Sequence, residues 1–220
     1  MLVPGMFLLG LGIALVTKAG LGTSPISSIP YSMSLILPRF TMGNYTIAMS
    51  ILLVLAQILM LWGKPGEIMG RGSGKAVSWV EIGVQFLLSV ALGYLIDLSM
   101  FLIRWLELDS YLQHMLGVVV GCFIMAFGIY IQLMANVAMA PGDAFIRALA
   151  AVTGRPYHQM KVVTDCSMVS VAMILCLVFL HRLSGVREGT VICALLVGNL
   201  VKMYRKMFTR EKHADKRAGI

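Results

Sequence analysis

Charged residues are scarce in this 220-residue chain. They make up 13% of the sequence, against about 25% in an average soluble domain, while hydrophobic residues make up 59% and the mean hydropathy is +0.86. So few polar side chains cannot cover a water-soluble globule, and the composition excludes most soluble enzyme classes, disordered chains and collagen. We expect the excess apolar surface to face lipid, as in an integral membrane protein.

Cysteine is rare as well, and no two cysteines have the C-x-x-C spacing of a redox or metal motif. All four lie in apolar segments and are predicted to be small buried hydrophobic residues: Cys122, Cys166, Cys176 and Cys193. The sequence also lacks H-E-x-x-H, P-loop and G-x-S-x-G motifs. We therefore expect that the protein is not an enzyme and that it has neither a metal site nor a cofactor.

Acidic residues are outnumbered by lysine and arginine, 10 to 18, which gives a net charge of +8. Seven of the basic residues follow Val201. This clustering favours a cytoplasmic tail beside a bilayer over a nucleic-acid interface, because basic residues collect on the cytoplasmic side of membrane proteins. We expect a lipid bilayer as partner and no nucleic acid.

Apolar runs predict six membrane-crossing helices, since a helix needs about 20 apolar residues to cross the hydrocarbon core. The predicted spans are 3–22, 43–63, 80–103, 111–135, 157–181 and 187–204. They form one transmembrane domain over residues 1–204, followed by a basic cytoplasmic tail over 205–220. With the N-terminus inside, twelve basic residues fall in inner segments and four in outer segments, so both termini are predicted to be cytoplasmic.

Two apolar stretches are too short to cross the membrane. Residues 24–37 follow the first span and residues 141–152 follow the fourth, and a proline stands at a suitable first helical position in each, Pro25 or Pro141. Thr23 or Ser24 is expected to cap the first helix. We interpret both stretches as short re-entrant or interfacial helices.

The two short helices belong to an internal repeat. Gly12, Ala19 and Pro25 are matched, at an offset of 116 residues, by Gly128, Ala135 and Pro141, and smaller offsets relate the later segments. The repeats cover residues 3–104 and 111–204, with three crossings each. An odd number of crossings inverts the second half, and inverted repeats with broken helices are typical of transporters.

The opening segment resembles a known family. Gly10-Leu11-Gly12-Ile13-Ala14-Leu15, then Ala19, Leu21-Gly22 and Ser24-Pro25, is similar to the start of the YczE/YyaS/YitT group of bacterial inner-membrane proteins. The family opening often continues Ser-Pro-Trp-Asp, whereas this chain has Ile26-Ser27 there and keeps an acid, Asp143, only in the second half. The resemblance implies an all-helical fold in the bacterial inner membrane and does not identify a substrate.

Polar residues near the short helices are the candidate binding residues: Lys18, Ser24, Pro25, Ser27, Asn136, Pro141, Asp143, Arg147 and Asp165. Several have structural alternatives. Lys18 either extends to the interface or contacts an anion. Asp143 either stabilises the N-terminus of its helix, with Arg147 as an ion-pair partner four residues later, or binds a solute. Asp165 either pairs with Lys161 or couples protonation to solute binding.

Three glutamines in the spans, Gln57, Gln85 and Gln132, are expected to form hydrogen bonds between helices. Together, these features predict a small secondary transporter for a polar or anionic solute, with its site between the repeats. The alternative is a non-transporting membrane subunit or regulator, for which the basic tail would be a docking surface. Either protein could form a homo-oligomer.

Overall fold

The computed structural model describes residues 2–62, 79–135, 140–181 and 185–218, and all regular structure in these ranges is helical. The helices in chain order are α1 (Leu2–Lys18), a 3-10 helix (Pro25–Ser27), α2 (Ser28–Ile36), α3 (Met42–Trp62), α4 (Trp79–Leu102), α5 (Tyr111–Ala135), α6 (Pro141–Thr153), α7 (Tyr157–Leu180) and α8 (Glu188–Ala218).

Four of these helices are long and apolar enough to cross a membrane. Their apolar stretches are Met42–Met60 in α3, Ile82–Leu102 in α4, Tyr111–Ala135 in α5 and Tyr157–Leu180 in α7. The four corresponding spans predicted from the sequence end within a few residues of these bounds, so an all-helical, membrane-type protein is confirmed. A total of six spans stays a prediction, because it also requires α1 and α8 to cross.

The first predicted span, 3–22, is too long. Helix α1 ends at Lys18, and Gly20 and Gly22 follow with φ of +67° and +113°. Glycine adopts this left-handed region at little cost, whereas other residues rarely do, so the two glycines turn the chain out of the helix. The 17 residues of α1 extend about 26 Å at 1.5 Å per residue.

Helix α8 begins at the last predicted span, 187–204, and continues beyond it. Helix α8 has 31 residues and continues to Ala218, so the described part of the basic tail is helical. Tyr204 and Phe208 hold this part of α8 against α5, with ring-centroid distances of 5.4 Å from Tyr204 to Phe127 and 5.3 Å from Phe208 to Tyr130. Lysine, arginine and glutamate are good helix formers, and a charged segment therefore need not end a helix.

The two short helices begin at Pro25 and Pro141, as predicted. The first is divided into the 3-10 turn and the nine residues of α2, and the second is the 13-residue α6. The predicted side-chain cap is wrong. Ser24 occupies the N-cap position, but its hydroxyl donates to Ser27 Oγ at 3.0 Å instead of accepting from the backbone, and the Thr23 N–H donates to Thr190 Oγ1.

Helices α1 and α5 pack against each other at glycines. A β-carbon on Gly12 would lie 2.6 Å from the backbone nitrogen of Met125, and one on Gly128 would lie 2.5 Å from that of Leu9. Later residues of α1 therefore meet earlier residues of α5, which means that the two helices run antiparallel. The close approach requires glycine, because any side chain would overlap backbone atoms.

The remaining helices surround this central pair. Helix α4 packs beside α1 and α8 beside α5, while α3 packs on α6 and α2 on α7. The buried core lies between α1, α4, α5 and α8 and includes Val16, Ile96, Val118 and Cys122, all without exposed surface. Cys176 and Cys193 are buried as predicted, but Cys166 is exposed on α7.

The N-terminus of helix α3 is capped by a carboxylate from α4. Asp97 of α4 accepts a hydrogen bond from the Gly43 N–H at 2.8 Å through Oδ1, and one from the Thr41 hydroxyl at 2.6 Å through Oδ2. A carboxylate is favourable here, because the first N–H groups of a helix lack partners within it. Asp97 thus joins α3 to α4, a role that the sequence pattern does not reveal.

Candidate functional site

The charged candidate residues of the second half meet between α6 and α7. Asp143, in the first turn of α6, accepts hydrogen bonds through Oδ1 from the Tyr157 hydroxyl at 3.0 Å and from Lys161 Nζ at 3.3 Å. Lys161 Nζ also lies 3.9 Å from Asp165 Oδ2. Asp143, Tyr157, Lys161 and Asp165 therefore form one group, which we call the α6–α7 cluster.

The connection between the two helices brings this cluster together. Gly154 adopts φ of +67° and ends α6, and Pro156 stands at the N-cap of α7. The short turn folds α7 back along α6. Tyr157, Lys161 and Asp165 follow at intervals of four residues and therefore share the face of α7 that meets Asp143.

The α6–α7 cluster is open to its surroundings. The exposed fraction of the side chain is 42% for Lys161, 40% for Asp143 and 21% for Asp165. The three charged side chains are therefore only partly covered by the described residues of the chain. The cluster combines one cation with two carboxylates and a phenol, so it offers both donors and acceptors.

The predicted pairing of Asp165 with Lys161 is present, but it is the longer of the two ion pairs that Lys161 makes. Its nearer partner is Asp143, on a different helix and 18 residues earlier in the chain. Asp165 consequently lies at the edge of the cluster. Coupling of its protonation to solute binding stays a hypothesis.

The corresponding part of the first half is built from hydroxyls. Ser24 and Ser27 are buried, with 9% and 3% exposure, and bond to each other, while the Ser28 hydroxyl donates to Pro25 O at 2.6 Å. The Cys176 thiol on α7 donates to Ser32 Oγ at 3.2 Å and so connects α7 to α2. Neutral polar groups therefore surround the start of the first short helix, whereas charged groups lie at the start of α6.

Other candidate residues lie elsewhere. The Lys18 ammonium donates to Arg104 O at 3.4 Å, just beyond the end of α4. Both predicted roles of this lysine, extension to the interface and contact with an anion, stay predictions. Arg147 is on α6, one turn after Asp143. Asn136 lies outside the described residues.

Two residues of the cluster, Tyr157 and Lys161, were not among the sequence candidates. Their spacing of four from each other and from Asp165 was the available signal, but nothing in the sequence shows that this face meets α6. In the part of the chain that the structure describes, the expected hydrogen bonds of Gln57 and Gln85 are absent: both side chains are fully buried, and neither amide has a partner there. Among the described residues, no three potential metal ligands come together.

The fold and the cluster define an all-helical protein of membrane type with a group of charged and polar side chains between α6 and α7. The chain matches the model of a family of unknown function, DUF6198, over residues 1–206, and it belongs to that family. No curated protein and no solved structure matches the chain.

Proposed function

We propose that this protein is a small secondary transporter that carries a small polar or anionic solute across the bacterial inner membrane. In this proposal the solute binds between two inverted repeats, each with three crossings, and both termini are cytoplasmic. The observation that carries the proposal is the packing of α1 on α5. The resemblance to the YczE/YyaS/YitT group agrees with it in fold and location.

The contacts between α1 and α5 are reciprocal. Gly12 meets Gly121 and Met125, and Gly128 meets Gly5 and Leu9. Adding the repeat offset of 116 to the first-half partners Gly5, Leu9 and Gly12 gives the second-half partners Gly121, Met125 and Gly128. A two-fold rotation that exchanges two helices requires this exchange of contacts, as at a symmetric interface.

The direction of the two helices supports inversion. Equivalent helices that run antiparallel are related by an axis perpendicular to them, which lies in the membrane plane when they cross the bilayer. Parallel repeats would instead place α1 and α5 in the same direction. The outer helices follow the same exchange. In the proposed repeat, α4 is equivalent to α8, and α4 packs on α1 as α8 packs on α5. Likewise, α2 is equivalent to α6 and α3 to α7, and α6 packs on α3 as α2 packs on α7. Inverted repeats with short helices near the midplane are the architecture of many secondary transporters.

The α6–α7 cluster suggests the solute class. Lys161 is shared by two carboxylates, and an anionic solute can replace Asp165, the more distant of them, at the ammonium group. Asp165 would then be left without its counter-ion and would favour the protonated form. Solute binding would thereby take up a proton, which is a simple route to coupled transport.

The test begins with purified protein and a set of small carboxylates and neutral polar metabolites. A ligand at 100 times its Kd should stabilise the folded state by about 2.7 kcal/mol, which is visible as a rise in melting temperature. Lys161→Gln should lose this rise, and Lys202→Gln, a change at an exposed lysine of α8, should keep it. The compounds that bind are then tested for uptake into proteoliposomes. If no compound stabilises the protein and none is taken up, the proposal is wrong.

The alternative function, a non-transporting subunit or regulator, is favoured by one observation. Helix α8 extends about 46 Å at 1.5 Å per residue, more than a hydrocarbon core of about 30 Å requires. Its basic second half therefore has room to contact a partner outside the bilayer. Ligand stabilisation without uptake into proteoliposomes would support this function over transport.

A further inference from the structure

The two short helices approach each other closely at Ile26 and Gly142. Ile26 follows Pro25 in the 3-10 helix, and Gly142 follows Pro141 in α6. The Ile26 side chain packs so closely on Gly142 that a β-carbon at position 142 would overlap Ile26 Cδ1. One half therefore supplies the side chain of this contact, and the other half supplies the space for it.

Ile26 and Gly142 are equivalent positions, because the repeat offset of 116 relates them as it relates Pro25 and Pro141. When two equivalent residues touch, their contact lies on the axis that relates the halves. The contact is thus at the centre of the region where the proposed site lies.

Polar residues adjoin this contact in both short helices. Ser24 and Ser27 are buried beside Ile26, and Asp143 directly follows Gly142 and belongs to the α6–α7 cluster. An apolar side chain between polar groups excludes water and charged solutes, because neither can keep its hydration there. Among the described residues outside α6, only Ile26 has atoms within 4 Å of the place that a Gly142 β-carbon would take.

We propose that Ile26 is the gate residue between the two halves: its side chain closes the passage between the Ser24–Ser27 pair and Asp143. The proposal rests on the proposed function for its biological meaning, but the closure itself is a property of the Ile26–Gly142 contact. A smaller side chain at position 26 should open the passage to water and small ions.

The experiment measures access to the serine pair and needs no solute. In a variant without the four native cysteines, Ser27→Cys introduces one thiol at a position with 3% exposure. The probe is MTSET, a membrane-impermeant cationic thiol reagent, applied to permeabilised cells. Adding Ile26→Ala should raise the labelling rate more than about tenfold. A tenfold change in rate corresponds to a barrier lower by only about 1.4 kcal/mol, and moving a cation past an apolar side chain costs more than that.

Ile29→Ala is the matched control, because Ile29 is also partly buried and lies one turn further along. It should leave the labelling rate unchanged. Gly142→Val, combined with Ile26→Ala, should restore protection by filling the gap from the other half. Ile26→Val replaces Ile26→Ala if the melting temperature shows that the alanine variant does not fold.

An unchanged labelling rate in the Ile26→Ala variant, or an equal rise of the rate in the Ile29→Ala variant, would overturn the proposal that Ile26 is a gate. The proposed function fails separately. If labelling responds as expected but the wild type neither binds nor moves a solute, the gate stands and transport is wrong. If a solute is transported and labelling does not respond, only the gate is wrong.

Discussion

At the scale of single residues, Asp97 illustrates how an acid in an apolar helix can have a structural role. Its carboxylate caps the start of α3 through Thr41 and the Gly43 N–H. Asp97→Ala removes both bonds, and we expect a loss of about 0.5–2 kcal/mol in the free energy of unfolding, the range for an N-cap. Asp109→Ala, at an exposed acid, should have little effect. Melting temperatures in detergent measure both, and equal values for the two variants would contradict the capping role.

Glutamines give a second prediction at this scale. The buried Gln57 amide has no hydrogen-bond partner within the described parts of the chain, whereas Gln113 Oε1 accepts from the backbone N–H groups of Asp109 and Ser110. Gln57→Leu should therefore raise stability by about 1–3 kcal/mol, the cost of an unpaired buried amide, and Gln113→Leu should lower it. Thermal unfolding of both variants tests the difference in sign. A loss of stability in Gln57→Leu would instead indicate that a bound molecule satisfies the amide.

Spacing in the sequence reveals only part of the α6–α7 cluster. The Lys161–Asp165 pair is predictable, since residues four apart share a helix face. The approach of Asp143 to Lys161 is not, because it depends on the turn at Gly154 and on how two helices pack. Contacts within one helix are fixed by its period, and contacts between helices require the tertiary structure.

At the scale of helices, the length of apolar runs locates α3, α4, α5 and α7 well, because the bilayer thickness sets how long such a run must be. The ends of α1 and α8 are less predictable. Glycine backbone angles end α1 at Lys18 within an apolar run, and α8 continues through charged residues that are good helix formers. Hydropathy reports the solvent around a helix and carries little information about its ends.

Alanine substitutions at a glycine of α1 and at a glycine of α4 are predicted to change the stability of the protein in opposite directions. A β-carbon at Gly12 would overlap the α5 backbone, so Gly12→Ala should destabilise the protein strongly, by about 1–3 kcal/mol as for overpacking. A β-carbon at Gly83 would meet no atom within 4 Å, so Gly83→Ala should stabilise by up to about 1 kcal/mol through helix propensity. The measurement is the melting temperature of each variant. Comparable losses at both positions would argue against close α1–α5 packing.

At the scale of the whole molecule, the proposed repeat is argued from two different kinds of observation. The sequence supplies the offset of 116, and the structure supplies antiparallel packing and reciprocal contacts between α1 and α5. The chemistry of the two halves differs nonetheless, with serines in the first half and charges in the second. Apolar run length predicts the long helices, whereas a solute is recognised by particular side chains, and the fold is consequently easier to infer from the sequence than the solute.

The topology gives the sharpest test of inversion. Arg39 lies between α2 and α3, and Arg155 lies in the equivalent connection between α6 and α7; both are exposed. In a variant without native cysteines, Arg39→Cys should be labelled by MTSET from outside intact cells, and Arg155→Cys only after permeabilisation. Ser110→Cys, in the connection between the halves, is the control and should be labelled like Arg39→Cys. Inverted repeats place equivalent connections on opposite sides of the membrane, so labelling of both arginine positions from the same side would exclude inversion.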